Sequence, residues 1–429
     1  MNSIIKSAVF ILIWCLAYSC QNTKKEKSNS KPVEQVQVLS AKDILGNPEY
    51  VAISYGGYRT NTREVQPTLA ELKEDMRLLN AMGIKVLRTY NVHFDQAANL
   101  LKAISELKAE TPDFEMYVML GIWIDCKNAF GTGDGEAIHT EESARNAVEV
   151  NTAVALANQY PDIVKILAVG NEAMVTWATS YYVTPNIILK WVQHLQNLKQ
   201  TGDLPSDLWI TSSDDYSSWG GGDASYHTED LEQLAHAVDY ISMHTYPYHN
   251  SHYNSEFWKV LEAEESLSDQ EKIDAAMLRA LHFAQAQYDS VSNYMKSIGV
   301  EKPIHIGETG WASISNGHYG ETGSRATDEY KQGLYYKHLR QWTQKANISC
   351  FYFEAFDEPW KDASNALGSE NHFGLINLEN EAKYPLWTLV DEGAFKGLTR
   401  NGKPITKTFN GNVESLMETV LVPNTDYPK

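Results

Sequence analysis

Eight short runs rich in apolar and β-branched residues recur along the chain, at 50–54, 84–90, 116–124, 164–169, 208–212, 238–244, 303–307 and 349–355, with longer amphipathic runs between them. An apolar run of that length bounded by turn residues predicts a buried strand, whereas the longer periodic runs predict helices. Those helices are expected at 68–82, directly after Pro67, and at 95–110, 141–160, 185–201, 229–237, 269–298 and 326–345. Strands that alternate with helices build a parallel sheet, and eight is the number at which such a sheet closes on itself. The expected fold class is therefore α/β, a (β/α)8 TIM barrel in one domain with long loops after the strands. A last helix is expected around 385–395, followed by a closing segment.

The two ends of the chain stand outside this pattern. Residues 1–19 read as an export signal, in which Lys6 is the positive end and 8–17 is an apolar run too short to span a membrane. Leu16-Ala17-Tyr18-Ser19-Cys20 resembles a bacterial lipobox, so Cys20 is the expected lipidation site; ordinary cleavage near Ser19 or Cys20 is the alternative. The stretch 20–38 has almost no apolar residues to bury and is expected to be a flexible tether, with 39–429 as the barrel domain. The expected location is outside the cytoplasm, lipid-anchored at the outer membrane or surface of a bacterium.

A formal net charge of −19 argues against nucleic acid and against direct electrostatic binding to anionic lipid or polyanionic glycans. A neutral ligand is favoured, and 24 Tyr, 12 Phe and 11 Trp are a generous supply of flat apolar surface for one. Cys126 follows one predicted strand and Cys350 begins another, which sets them on opposite faces of a barrel and predicts no disulfide. No spacing resembles a structural zinc site, and His244, His249 and His252 read as loop or substrate contacts. A monomer is expected.

Polar and aromatic residues gather just after the C-terminal ends of the predicted strands: Tyr55 and Tyr58, Arg88 and Tyr90, Trp123 and Asp125, Asn171 and Glu172, Asp214 to Tyr216, His244 and Tyr246, Glu308 and Trp311, then Glu354, Asp357 and Glu358. A barrel places its active site at that face, so the asymmetry is a functional signal. Within it, Pro303-Ile304-His305-Ile306-Gly307-Glu308 and Val164-Lys165-Ile166-Leu167-Ala168-Val169-Gly170-Asn171-Glu172 are both apolar strands that end in a glutamate. A single glutamate there is explained as well by a salt bridge or a helix cap. Two, at strands four and seven of eight, face each other across the barrel mouth and supply the carboxyl pair that cleaves a glycosidic bond.

Ala168-Val169-Gly170-Asn171-Glu172 with Ile306-Gly307-Glu308-Thr309-Gly310-Trp311 resembles the acid/base and nucleophile strands of the glycoside hydrolases with (β/α)8 barrels. More narrowly, the chain resembles glycoside hydrolase family 17, the β-1,3-glucanases and β-1,3-glucan transglycosylases. Arg88-Thr89-Tyr90, Ser242-Met243-His244-Thr245-Tyr246-Pro247 and 353–361 followed by Phe373-Gly374-Leu375 support that narrower resemblance, which runs from about Val51 to Ile376. It implies Glu172 as general acid/base, Glu308 as nucleophile, retaining chemistry and a β-1,3-glucan substrate of the laminarin or curdlan type, with no metal or organic cofactor. Asn171 is expected to donate to the sugar 2-hydroxyl, Tyr246 and Arg88 to hold Glu308, with an internal barrel ion pair as the alternative for Arg88, and Glu358 with Lys361 to orient the site, with a purely structural pair as the alternative. Tyr55, Tyr90, Trp123, Trp219, Trp311 and Trp360 are candidate sugar-stacking platforms, and Asp215, Tyr216 and His244 further substrate contacts. Endo action is favoured over exo. Two other functions fit the same residues: a transglycosylase, and a non-catalytic glycan-binding surface lipoprotein, against which the presence of both glutamates counts.

Overall fold

In a computed structural model of the chain, which describes residues 39–133 and 135–425, eight parallel strands close into a barrel. They are β1 (Val51–Ser54), β2 (Ile84–Arg88), β3 (Tyr117–Ile122), β4 (Val164–Asn171), β5 (Trp209–Asp215), β6 (Ile241–His244), β7 (Ile304–Gly310) and β8 (Cys350–Phe353). Each pairs with its sequence neighbours, and β1 closes the ring on β8 through Ile53 and Tyr352. The export signal, Cys20 and the tether lie outside the described residues.

Side chains two apart on a strand share a face, so each strand presents one set inward and one outward. The outward set packs on the helices, which is why these strands read as continuous apolar runs instead of alternating ones. Inward, the closed end of the barrel is apolar: Ala52, Val86, Met119, Ile166, Ala168, Tyr240 and Phe351 form one cluster, plugged by Ala41, Ile44 and Leu45 around a short helix (Ala41–Ile44). One step further up the same faces the residues turn polar, with Arg88 after Val86 and His244 after Ser242 and Tyr240. The open end is thus lined by charge and hydroxyls.

The helices start and stop where local chemistry dictates. Helix α1 (Leu69–Ala81) begins at a capping box in which the Thr68 hydroxyl accepts from the Glu71 N–H and Glu71 accepts from the Thr68 N–H. Helices α2 (Asp95–Glu110), α3 (Arg145–Gln159), α4 (Pro185–Thr201), α5 (Glu229–Ala237), α6 (Asp269–Ser297) and α7 (Glu329–Lys345) follow in turn. Pro185 opens α4 and Gly202, at φ 84°, closes it.

Several boundaries differ from the sequence expectation. Helix α3 begins at Arg145 and not near 141, because Ile138–Glu142 pairs antiparallel with Cys126–Lys127. Helix α7 begins at Glu329 and not at 326, since the Asp328 carboxylate caps it by accepting from the Lys331 N–H. The loop after β6 contains an unpredicted helix, Pro247–Tyr253, and the last expected helix shrinks to Trp387–Asp391. Strands β4, β5 and β7 run past their apolar cores to Asn171, Asp215 and Gly310, held by register pairs such as Asn171 with Ser213 and His244 with Glu308. Polar ends therefore sit on rigid strand, not loop. After the barrel, Thr399–Arg400 and Lys403–Pro404 form a hairpin whose Arg400 shares the buried Asp75 of α1 with Arg59. Cys126 and Cys350 are buried and free.

Candidate active site

Glu308 is the most heavily bonded side chain at the barrel mouth. Arg88 from β2 donates to its Oε2, Tyr90 donates to the same oxygen at 2.9 Å, and Tyr246 donates to Oε1 at 2.6 Å. Burial alone would favour the neutral acid, but Arg88 and the two phenols outweigh it and hold the Glu308 carboxyl down at about 2. It is an anion at any working pH. The same field acts in reverse on its neighbours: burial lowers the charge preference of Arg88, yet Glu308 keeps its pKa above the ordinary value, while burial and Glu308 push both phenols well up.

Glu172 stands across the mouth at the end of β4, in a left-handed backbone conformation with φ 45°. That conformation is uncommon for a residue with a side chain, and here it turns the carboxyl into the mouth. One oxygen each of Glu172 and Glu308 and a ring nitrogen of His244 lie within 4.8 Å of one another. Burial and then the Glu308 charge push the Glu172 carboxyl up to about 8. Two carboxyls, one held ionised and one held protonated, are what an acid and a nucleophile require. Retaining pairs are spaced at roughly 5–5.5 Å and inverting pairs at roughly 6.5–9.5 Å, and the close approach here fits the former.

Three supports complete the constellation. His244 Nδ1 lies 3.0 Å from Glu172 Oε1 and its Nε2 lies 2.7 Å from the Ser213 hydroxyl. Burial, then Arg88, lowers the ring to about 4, so it is neutral. Asn171 accepts from Arg88 through Oδ1. Because a guanidinium only donates, that bond fixes the amide's orientation and leaves its NH2 free as a donor. Glu358 accepts from the Tyr58 N–H and from Trp360 Nε1, both at 2.9 Å, and pairs with Lys361 at 3.7 Å. Glu172, His244 and Glu308 are also the described residues grouped closely enough to hold a metal, but the Arg88 guanidinium occupies the cation position beside Glu308 and His244 Nδ1 is engaged with Glu172.

A cavity of about 790 Å³ opens on one side of this pair, walled by the loops after β1, β2, β3 and β8 and by α3. Asn171, Glu308, Tyr90, Trp123, Trp360 and Lys361 border it.

The model of the BtgE/BtgC glycoside hydrolase domain matches residues 52–374, almost the whole barrel. The chain belongs to the BtgE/BtgC glycoside hydrolases. It is 61% identical to an endo-laminarinase from Formosa Hel1_33_131 of known crystal structure, with a TM-score of 0.89 over 91% of this chain and 99% of that one. It is 24% identical to a glucan 1,3-beta-glucosidase of Arthroderma benhamiae over 329 residues, 73% of this chain and 83% of that protein. The fold alone is shared with a glycoside hydrolase family 17 beta-1,3-glucanosyltransferase from Rhizomucor miehei, at 20% identity and a TM-score of 0.54 over 79% of this chain and 96% of that one.

In this glycoside hydrolase the two glutamates, Asn171, Arg88, Tyr246, Glu358 and Lys361 come together at one mouth, as the sequence leads one to expect. Of the other expected sugar contacts, Trp219 and Trp311 do not reach it, whereas Tyr55 and His244 reach it with their polar groups already engaged. Tyr55 is buried with its hydroxyl on Asp75, Trp219 donates from within the wall to the Ser242 carbonyl, and Trp311 to the Ala326 carbonyl among Tyr248, Trp258 and Tyr335. His244 is fully buried and serves Glu172, not the sugar. Trp219 and Trp311 follow strand ends as predicted, but their side chains point into the wall. Tyr90 borders the cavity, yet its hydroxyl is committed to Glu308.

Trp123 remains half-exposed on the cavity wall, 5.5 Å from the Tyr181 ring and 6.3 Å from that of Phe130. Asp215 and Tyr216 are half-buried at the end of β5, outside this cavity; burial and then Glu172 push Asp215 up to about 6. His249 packs against Tyr319 with Nδ1 3.1 Å from its hydroxyl, and His252 stacks on His318. Sequence reasoning missed Arg63, Phe94, Phe130 and the α3 face that carries Val148 and Glu149, all on the cavity wall. Val148 is 65% exposed, and its outward position shows only once the helix is placed against the barrel.

Proposed function

We propose that this chain is an endo-acting β-1,3-glucanase of the laminarinase type that cleaves with retention through Glu308 and Glu172. The carrying observation is the closely spaced carboxyl pair held in opposite protonation states, and the substrate class rests on the 61% identity to an endo-laminarinase. In the first step Glu308 attacks the anomeric carbon while Glu172 gives its proton to the departing glycosidic oxygen. Esterification removes the Glu308 charge that helps to keep Glu172 protonated, so Glu172 becomes a better base as its next task requires. It then takes a proton from water, which attacks the same carbon from the face the leaving group vacated, breaks the bond to Glu308 and releases its carboxylate, and so restores the β configuration. The free NH2 of Asn171 is placed to donate to the sugar 2-hydroxyl, a bond that strengthens in the transition state. This chemistry uses side chains alone.

Laminarin followed by NMR and chromatography tests this reading. The β-anomer is expected first, with mixed intermediate sizes early. Initial α-anomer would exclude retention, one small product throughout would exclude endo action, and products longer than the substrate would place the chain with the transglycosylases.

The enzyme's location is a second proposal, supported by the lipobox-like Leu16-Ala17-Tyr18-Ser19-Cys20 and the polar stretch after it. We infer that Cys20 carries lipid and that the barrel hangs outside the cytoplasm. Cys20→Ser is expected to move the protein from the membrane fraction to the soluble one; an unchanged distribution would exclude the anchor.

A further inference from the structure

Arg63 is an odd charge for its position. Its guanidinium lies over two rings of the cavity wall, 4.3 Å from the centre of Trp360 and 5.0 Å from that of Phe94. Every other cation on that wall is matched: Lys361 faces Glu358 at 3.7 Å and Glu354 at 3.9 Å, while Arg145 pairs with Asp125 and His93 with Glu149. Among the described residues Arg63 makes no side-chain hydrogen bond or ion pair, although it is half-buried. Rings attract a guanidinium through its plane and use none of its five N–H groups, which stay available at the rim of that plane.

A side chain ordered by two aromatics, with its donors unspent and a cavity in front of it, is prepared for a ligand rich in oxygen acceptors. A run of contacts separates it from the chemistry: Glu308 bonds to Tyr90, Lys361 lies over the Tyr90 and Trp360 rings, and only then comes Arg63. We propose that Arg63 is a specificity-determining sugar contact, its fork of N–H donors binding hydroxyl oxygens of a glucosyl unit held away from the cleaved linkage. The proposal rests on the glucanase reading and names a residue that makes the enzyme favour longer chains.

The test is Arg63→Met, which keeps an unbranched stem between the rings and removes the donors. kcat and KM are measured on laminari-oligosaccharides of increasing length, beside Arg63→Lys. The longest substrates are expected to lose about tenfold in kcat/KM, the worth of one hydrogen bond involving a charged group, mainly through KM. The shortest should be unaffected, and the lysine variant should recover part of the loss. A loss of equal size at every length, carried by kcat, would overturn the proposal by showing that Arg63 acts through Glu358 and Trp360. No loss at any length would overturn it as well. Should the wild-type enzyme fail to cleave the series, the glucanase reading itself falls, independently of Arg63.

Discussion

His244 Nδ1 stands 3.0 Å from Glu172 Oε1, on the opposite side of the ring from its 2.7 Å contact with Ser213. The ring is neutral, so one nitrogen donates and the other accepts. Glu172 needs its own proton for the sugar, which leaves Oε1 to accept from Nδ1–H and Nε2 to accept from the Ser213 hydroxyl. A donor to the ionised form favours that form. His244→Phe removes it while roughly conserving volume, so the Glu172 pKa should rise further and the basic limb of the pH profile should move up. kcat is expected to fall about tenfold or more, the worth of one hydrogen bond to a charged group. A lower kcat with an unmoved basic limb would mean that His244 only fills space.

The pH dependence of the wild-type enzyme follows from the same pair. Activity needs Glu308 ionised and Glu172 protonated. As pH rises through about 8 the acid loses its proton and kcat/KM should fall; on the acid side Glu308 stays ionised down to about 2, so no catalytic limb should appear near pH 4 to 5. Glu308→Gln removes the larger of the two negative charges that, with burial, raise Glu172. A 13C NMR titration of the Glu172 carboxyl in that variant should find it below its wild-type value; an unchanged value would show that the Glu308 charge does not set it.

Arg88 ties strand β2 to the chemistry by bonding both Glu308 and Asn171. A lysine has no fork and cannot reproduce both bonds in that geometry. In Arg88→Lys the Glu308 pKa should rise and an acidic limb should enter the measurable range, while Asn171 loses the partner that orients its amide. kcat should drop by about tenfold to a hundredfold at neutral pH, from one or two charge-assisted bonds. Arg88→Met should do more damage, leaving Glu308 as a buried anion without its cation, at a cost of about 3–5 kcal/mol to folding by thermal or urea melting.

The parts of this site that were legible in the sequence are those set by backbone periodicity. The common direction of parallel strands places Glu172 and Glu308 at one end of a barrel once the eight strands are counted, and that needs no side-chain geometry. The direction a side chain takes after leaving its strand is another matter. Trp311 follows Glu308 by three residues and Trp219 follows Asp215 by four, yet both turn inward because their indole N–H groups find buried carbonyls at Ala326 and Ser242. These partners come from distant stretches of chain, and no local pattern announces them. Arg63 and Val148 were invisible for the same reason: they lie on a loop and a helix that reach the cleft only through the barrel's closure.

Gly307 shows how tightly the support of Glu172 is packed into the barrel. A Cβ added there would come within 2.2 Å of the Ser242 hydroxyl and 2.5 Å of the Ser213 hydroxyl, the group on which His244 rests. Something must shift, and the barrel interior has little slack because its strands are fixed on both sides by register. Gly307→Ala should therefore cost about 1–3 kcal/mol of stability by overpacking. It should also cost activity beyond that loss, because displacing Ser213 tilts His244 and with it the acid. Thermal melting and kcat measured on the same sample separate the two effects. Lower stability with full kcat in the folded fraction would mean that the Ser213–His244–Glu172 line tolerates displacement, and unchanged stability would mean that the two serines move aside freely.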